Sequence, residues 1–274
     1  MGSWDIDADA FNAFEAAGWE RQVAGYEDFF VPITARLAAP LLDAAAVRRG
    51  SAVLDVATGP GHIAAAAARR GATVIGVDVA EGMLARAREA HPEVTFLRGD
   101  AEALPFDDGA FDAVVVGFLL LHLARPERAV AEFGRVLRPG GRVALSMWDF
   151  PDRSRFLGVL LDAIAEAGAE PPPDLPPGPP IFRFSDEDQL AGLLERFDEV
   201  EIQTVGFPLR FGSSDVLWRG LLGGTVRLSV LVLRQPPEVQ ERIRAAFDRI
   251  VGGAEELPVS VKLATGVARA SAAT

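Results

Sequence analysis

Cysteine is absent from this chain of 274 residues. Its absence excludes structural disulfides, thiolate metal ligands and a covalent cysteine nucleophile. Positive charge is scarce: 27 Lys and Arg stand against 39 Asp and Glu, a net charge of -12. No long-range attraction to phosphate backbones or anionic lipid follows from that balance, and nucleic acid is not an expected partner. The longest apolar run, Ala113 to Leu121, falls short of the roughly 18 residues a membrane span needs. The opening "MGSWDIDADAF" is acidic and lacks the basic start and apolar core of a secretory signal. A cytoplasmic location without a membrane span is expected, and no cluster of metal ligands stands out.

Hydrophobic residues, by contrast, make up 49% of the chain, enough for one large domain or a domain with a cap. From Ala52 to Trp148 apolar β-branched runs ("AVLDVA", "TVIGVDV", "VTFLRGD", "FDAVVVGFLL", "RVALSMW") alternate with helical stretches such as "PERAVAEFGRV". That order predicts a parallel sheet covered on both faces. Ligands of such sheets bind at the carboxyl ends of the strands, where Asp55, Asp78, Asp100 and Gly117 fall. Residues 4 to 47 read as helices, "AGAEPPPDLPPGPPIF" as an extended connector, and "SDEDQLAGLLERF" as a helix capped by Ser185 or Asp186. "DEVEIQTVGFPLRF" reads as a strand, residues 214 to 252 as two helices and "PVSVKLATGVARA" as a closing strand.

The stretch "VLDVATGPGHIA" turns on glycines between the first strand and a helix. Gly59 to Ala64 matches GxGxxA, so a nicotinamide dinucleotide is one expectation. Two features oppose it: Pro60 removes an amide donor, and the Asp55 carboxylate would repel a pyrophosphate. A cationic ligand without phosphate suits Asp55 better, its carboxylate lying at the helix N-terminus. Asp78 is placed to accept from two ribose hydroxyls, Asp100 from an adenine amino group, and the Met83 thioether to pack on an adenine face.

"LDVATGPGHIA", "VIGVDVAEGML", "RGDAEALPFDDGAFDAVV" and "FGRVLRPGGRVALSMW" together resemble the successive motifs of class I S-adenosylmethionine-dependent methyltransferases. The likeness is to the ubiquinone/menaquinone-biosynthesis and small-molecule group. It implies a doubly wound, mostly parallel, seven-stranded α/β sheet, Rossmann-like, with an α-helical cap, and S-adenosyl-L-methionine as cofactor. It also implies three regions: an N-terminal helical lid (1–50), a cofactor-binding core (51–150), and the remainder of the sheet with inserted helices forming a substrate cap (151–274). By the same likeness Asp55, Ala57, Gly59 and Gly61, with His62 beside them, line the methionine part. Asp78 holds the ribose, Val79 belongs to the same cofactor-binding set, Met83, Asp100 and Ala101 meet the adenine, and Gly117 and Phe118 approach the sulfonium. Ala57 stands where such enzymes often carry glycine, so its backbone is expected in a region open to alanine.

His122, in "FLLLHLARPE", is the candidate general base. Trp19, Tyr26, Phe30, Trp148 and Trp218 are candidates for an apolar substrate wall. "GFLL" after the fourth strand, in place of an Asn/Asp-Pro-Pro-Tyr-like tetrapeptide, disfavours amino methylation of DNA bases. The expected activity is methyl transfer to a small organic metabolite, chiefly at oxygen, by a monomer or homodimer. The alternatives are transfer to nitrogen or carbon, a non-methylating S-adenosylmethionine-binding protein, and an NAD-dependent oxidoreductase. No lysine stands four residues after Tyr26, the only tyrosine, which counts against the last.

Overall fold

The computed structural model describes residues 6–269, so residues 4 and 5 of the expected helical lead-in and Ala270 of the closing strand lie outside it. The lead-in is α1 (Ala8–Arg21), α2 (Val23–Gly25), a π-turn (Tyr26–Phe30), α3 (Val31–Thr34) and α4 (Ala38–Ala44). The core then alternates: β1 (Ala52–Val56), α5 (His62–Arg69), β2 (Thr73–Asp78), α6 (Glu81–Ala90), β3 (Thr95–Arg98), β4 (Phe111–Gly117), α7 (Pro126–Val136) and β5 (Leu137–Trp148). After it come α8 (Arg155–Glu166), α9 (Glu187–Leu193), β6 (Phe197–Arg210), α10 (Ser214–Gly223), α11 (Arg227–Leu233), α12 (Pro237–Val251) and β7 (Glu256–Ala268).

Among the described residues seven strands form one sheet in the order β3-β2-β1-β4-β5-β7-β6. β1 to β5 pair in parallel, and β7 runs antiparallel to both β5 and β6. Strand order reverses between β1 and β4, which opens a crevice at their carboxyl ends. β1 and β4 are buried along nearly their whole length, as continuous apolar strands of a doubly covered sheet must be. β6 alternates half-buried and exposed positions, the pattern of an edge strand.

The helices follow local rules. α5 sets alanines against the sheet and is capped by Gly61 at φ 84°. α7 starts on Pro126 and buries Ala129, Val130, Phe133 and Val136 on one stripe. Asp186, one of the two expected caps, accepts from the Gln189 amide at 3.0 Å. Residues 214 to 252 hold three helices rather than two, because Gly224 and Thr225 separate α10 from α11 and Pro236 caps α12, which starts on Pro237. "RPGG" lies within β5, at an irregularity of its pairing with β4, rather than before the strand.

One apolar cluster joins Phe30, Ile33 and Leu37 of the lead-in to α8, α10, α11 and α12. Gly25 sits so close to α10 that an added Cβ would lie 2.0 Å from the Gly223 carbonyl oxygen. Backbone meets backbone there, and no rotamer change relieves a methyl. Gly25→Ala is therefore expected to cost about 1–3 kcal/mol by overpacking, whereas Gly192→Ala, in open space on α9, should be neutral or slightly stabilising. Thermal unfolding of both variants checks this; equal melting temperatures would contradict the close docking of the lead-in on α10.

Candidate active site

Two carboxylates shape the carboxyl edge of the sheet. Asp55, at the end of β1, is fully buried, and its Oδ2 accepts from the Thr58 hydroxyl at 2.7 Å and the Ala64 amide at 2.9 Å. Asp78, at the end of β2, accepts from the Gly59 amide at 2.8 Å and the Ala80 amide at 2.9 Å. Between these anchors the chain must turn sharply, and Ala57 takes φ 56°. That is the left-handed region, contrary to the expectation of a conformation open to alanine; it costs a Cβ-bearing residue roughly 1–2 kcal/mol. Phe118, just past β4, is held at φ 55° in the same way. Both strained residues face one cavity, the usual company of strained backbone.

That cavity, of about 200 Å³, lies over the β1–β4 crevice. Of the residues expected around the cofactor, Ala57, Gly59, Asp78, Val79 and Met83 stand on its wall, as do Asp100, Ala101, Gly117 and Phe118. Three of those expected there do not. Asp55 lies beneath the loop and faces Thr58 and Ala64 rather than the cavity, so it shapes the turn from below. Gly61 caps α5 with its Cα against the Phe96 ring. The His62 Nε2 lies 3.2 Å from the Thr34 hydroxyl, and burial pushes the imidazole down to about 4, so it is neutral at pH 7.

Much of the rest of the wall is aromatic. Trp148 stacks on Phe118 with ring centres 4.0 Å apart, and Tyr26 stacks on Phe30 at 5.6 Å. Trp19 stands edge-on to both Tyr26 and His122. Burial pushes the Tyr26 phenol up to about 12, so it serves as a neutral surface. Trp218, expected on this wall, packs instead on Phe247 at 5.1 Å with the Arg244 guanidinium over its ring. An aromatic on an amphipathic helix gives the same sequence signal in either place.

His122 is on the wall, and its Nδ1 lies 2.8 Å from the Glu15 Oε2. A carboxylate only accepts, so the contact puts the proton on Nδ1 and leaves Nε2 as the basic nitrogen. Glu15 (3% exposed), Asn12 and Arg227 complete the polar part of the wall. None of these three was legible as a site residue. The only sequence signal was a charged residue on the inward face of a helix, and 107 positions separate Glu15 from its partner.

Burial raises the Asp55 carboxyl from its ordinary 3.8 to about 7. Between those values the folded chain holds a proton that the unfolded chain has lost. Asp55 therefore makes stability fall as pH rises from about 4 to about 7, by roughly 4 kcal/mol at most, with no further change outside that window. Asp55→Asn, whose carbonyl can keep both acceptor contacts, should show a flatter dependence in urea titrations across the window; parallel curves would contradict the assignment.

A family model described as "Methyltransferase domain" matches residues 54–145. The chain is 34% identical over 196 residues to the demethylmenaquinone methyltransferase of Renibacterium salmoninarum, covering 69% of this chain and 77% of that one. It is 32% identical over 203 residues to the enzyme of that name from Beutenbergia cavernae, with 68% and 75% covered. Among solved structures, Haemonchus contortus phosphoethanolamine N-methyltransferase 2, in complex with phosphomonomethylethanolamine and S-adenosylhomocysteine, shares the fold. Its TM-score is 0.53 at 18% identity, over 86% of this chain and 53% of that one.

Proposed function

Because the chain belongs to the S-adenosylmethionine-dependent methyltransferases, we propose that its small-molecule acceptor is a flat, largely apolar, hydroxyl-bearing ring methylated at a ring carbon. The observation that carries this reading is the make-up of one cavity. Strand-end acids and glycines share its lining with stacked aromatics, and His122 stands on the same wall. Sequence alone favoured oxygen as the methylated atom without a residue behind the choice. The relatives named for demethylmenaquinone favour a quinone-type ring, and hence carbon.

The wall suits the cofactor on physical grounds. Asp78 keeps lone pairs beyond its two backbone contacts, enough for two ribose hydroxyls. Asp100 and Ala101 offer an acceptor and an amide to the adenine edge, and the buried Met83 offers its thioether to the adenine face. At Gly117 a Cβ would meet the Ile63 Cδ1 at 2.9 Å, so glycine there lets α5 pack closely on the end of β4, while Gly117 itself stands on the cavity wall. S-adenosylmethionine, when bound, supplies a methyl group on a cationic sulfur to a nucleophile aligned with it. The protein's own part is alignment by the aromatic wall, exclusion of water, and acceptance of the acceptor's proton at the His122 Nε2.

Asp78→Ala is expected to weaken S-adenosylhomocysteine binding by about 1–3 kcal/mol, since two ribose hydroxyls lose their acceptor. His122→Gln should lower turnover by about 10²–10⁴-fold with cofactor affinity unchanged. Calorimetry with S-adenosylhomocysteine and product assays measure the two effects, and unchanged affinity or unchanged turnover would remove the respective role. NMR of the methylated product then tells a methyl on carbon from one on oxygen.

A further inference from the structure

Two side chains on the cavity wall have hydrogen-bonding capacity that the protein leaves unused. Glu15 lines the cavity; its Oε2 is taken by His122, and its Oε1 is buried with no partner among the described residues. Arg227, at the start of α11, is half-buried on the same wall. It donates to the Pro176 carbonyl at 2.9 Å, and its guanidinium lies over the Phe11 ring. It forms no ion pair among the described residues. Burial lowers its pKa while the Glu15 charge opposes that, so the two groups sense each other without touching.

A ligand that satisfies both must donate to a carboxylate oxygen and accept from a guanidinium. A hydroxyl does both. An ammonium would set a second cation beside Arg227, and a bare hydrocarbon edge would leave two buried polar groups unpaired. Taking the methyltransferase reading as its basis, we propose that Glu15 and Arg227 form the cradle for an ionisable hydroxyl on the acceptor and so determine specificity. The hydroxyl donates to the Glu15 Oε1 and accepts from Arg227. On ionisation the hydroxyl hydrogen turns about the C–O bond from the Glu15 Oε1 to the His122 Nε2; the O–H bond breaks, the electron pair stays on oxygen against the guanidinium, and the proton ends on Nε2. Arg227 makes the ionised hydroxyl accessible, and Glu15 positions the imidazole that receives the proton.

The test is a calorimetric titration of S-adenosylhomocysteine-saturated protein at neutral pH with 2-naphthol, naphthalene and 2-(aminomethyl)naphthalene, which carries an ammonium. The expected result is that 2-naphthol binds at least tenfold more tightly than either of the others. Arg227→Gln and Glu15→Gln should each abolish that preference while leaving S-adenosylhomocysteine affinity as it was, and Arg227→Lys should restore part of it. Equal affinities in the parent protein, no binding of 2-naphthol, or a preference that survives both variants would overturn the proposal. Failure of the parent protein to bind S-adenosylhomocysteine would strike instead at the methyltransferase reading on which it rests.

Discussion

The functional end of the molecule depends on two buried carboxylates that hold backbone amides at the ends of neighbouring strands. Asp55 binds Thr58 and Ala64, and Asp78 binds Gly59 and Ala80. Burying carboxylates is expensive unless they are hydrogen-bonded, and both are raised in pKa by the loss of water around them. The compensating bonds go to the loop itself, so the same contacts that offset burial also fix the loop's shape. A left-handed Ala57 is the visible cost of that constraint, and an open crevice beside β4 is its product.

The rest of the cavity comes from elements remote in sequence. The lead-in helices bring Asn12, Glu15, Trp19, Tyr26 and Phe30, and the segments after β5 bring Phe182 and Arg227. Their docking is set by close backbone approach at Gly25 and by the apolar cluster shared with α8 and α10 to α12. On the proposed reading the cofactor side rests on the sheet, and the acceptor side combines packed helices with Phe118 and His122 past the end of β4 and Trp148 at the end of β5. Rigid strand ends tolerate little change, whereas helices packed on a shared apolar face can vary their inward side chains without altering the sheet.

Much of the sheet was legible because its signals are local. Continuous apolar strands, the glycine loop, and an acid at each of three strand ends need only a few neighbouring residues to be recognised. Helix caps are equally local, as Asp186 shows. What could not be read depended on distant partners or on backbone strain. Ala57 looks unstrained until the bonds on either side of it are known. Trp218 and Trp148 carry the same apolar signal, yet one packs against Phe247 and the other against Phe118 on the cavity wall. Glu15 and Arg227 belong to different helices, and no spacing in the chain reveals that they share a cavity with His122.

The central claim is that a single crevice at the β1–β4 reversal binds the cofactor through Asp78 and Asp100 and leaves the aromatic, His122-bearing part of the wall for the acceptor. A crystal structure with S-adenosylhomocysteine tests it most directly. The account predicts density running from Gly59 to Ala101, with the ribose on Asp78, the adenine between Met83 and Asp100, and the sulfur directed toward Phe118 and His122. Density elsewhere on the molecule, or an adenine lodged among Trp19, Phe30 and Trp148, would contradict it.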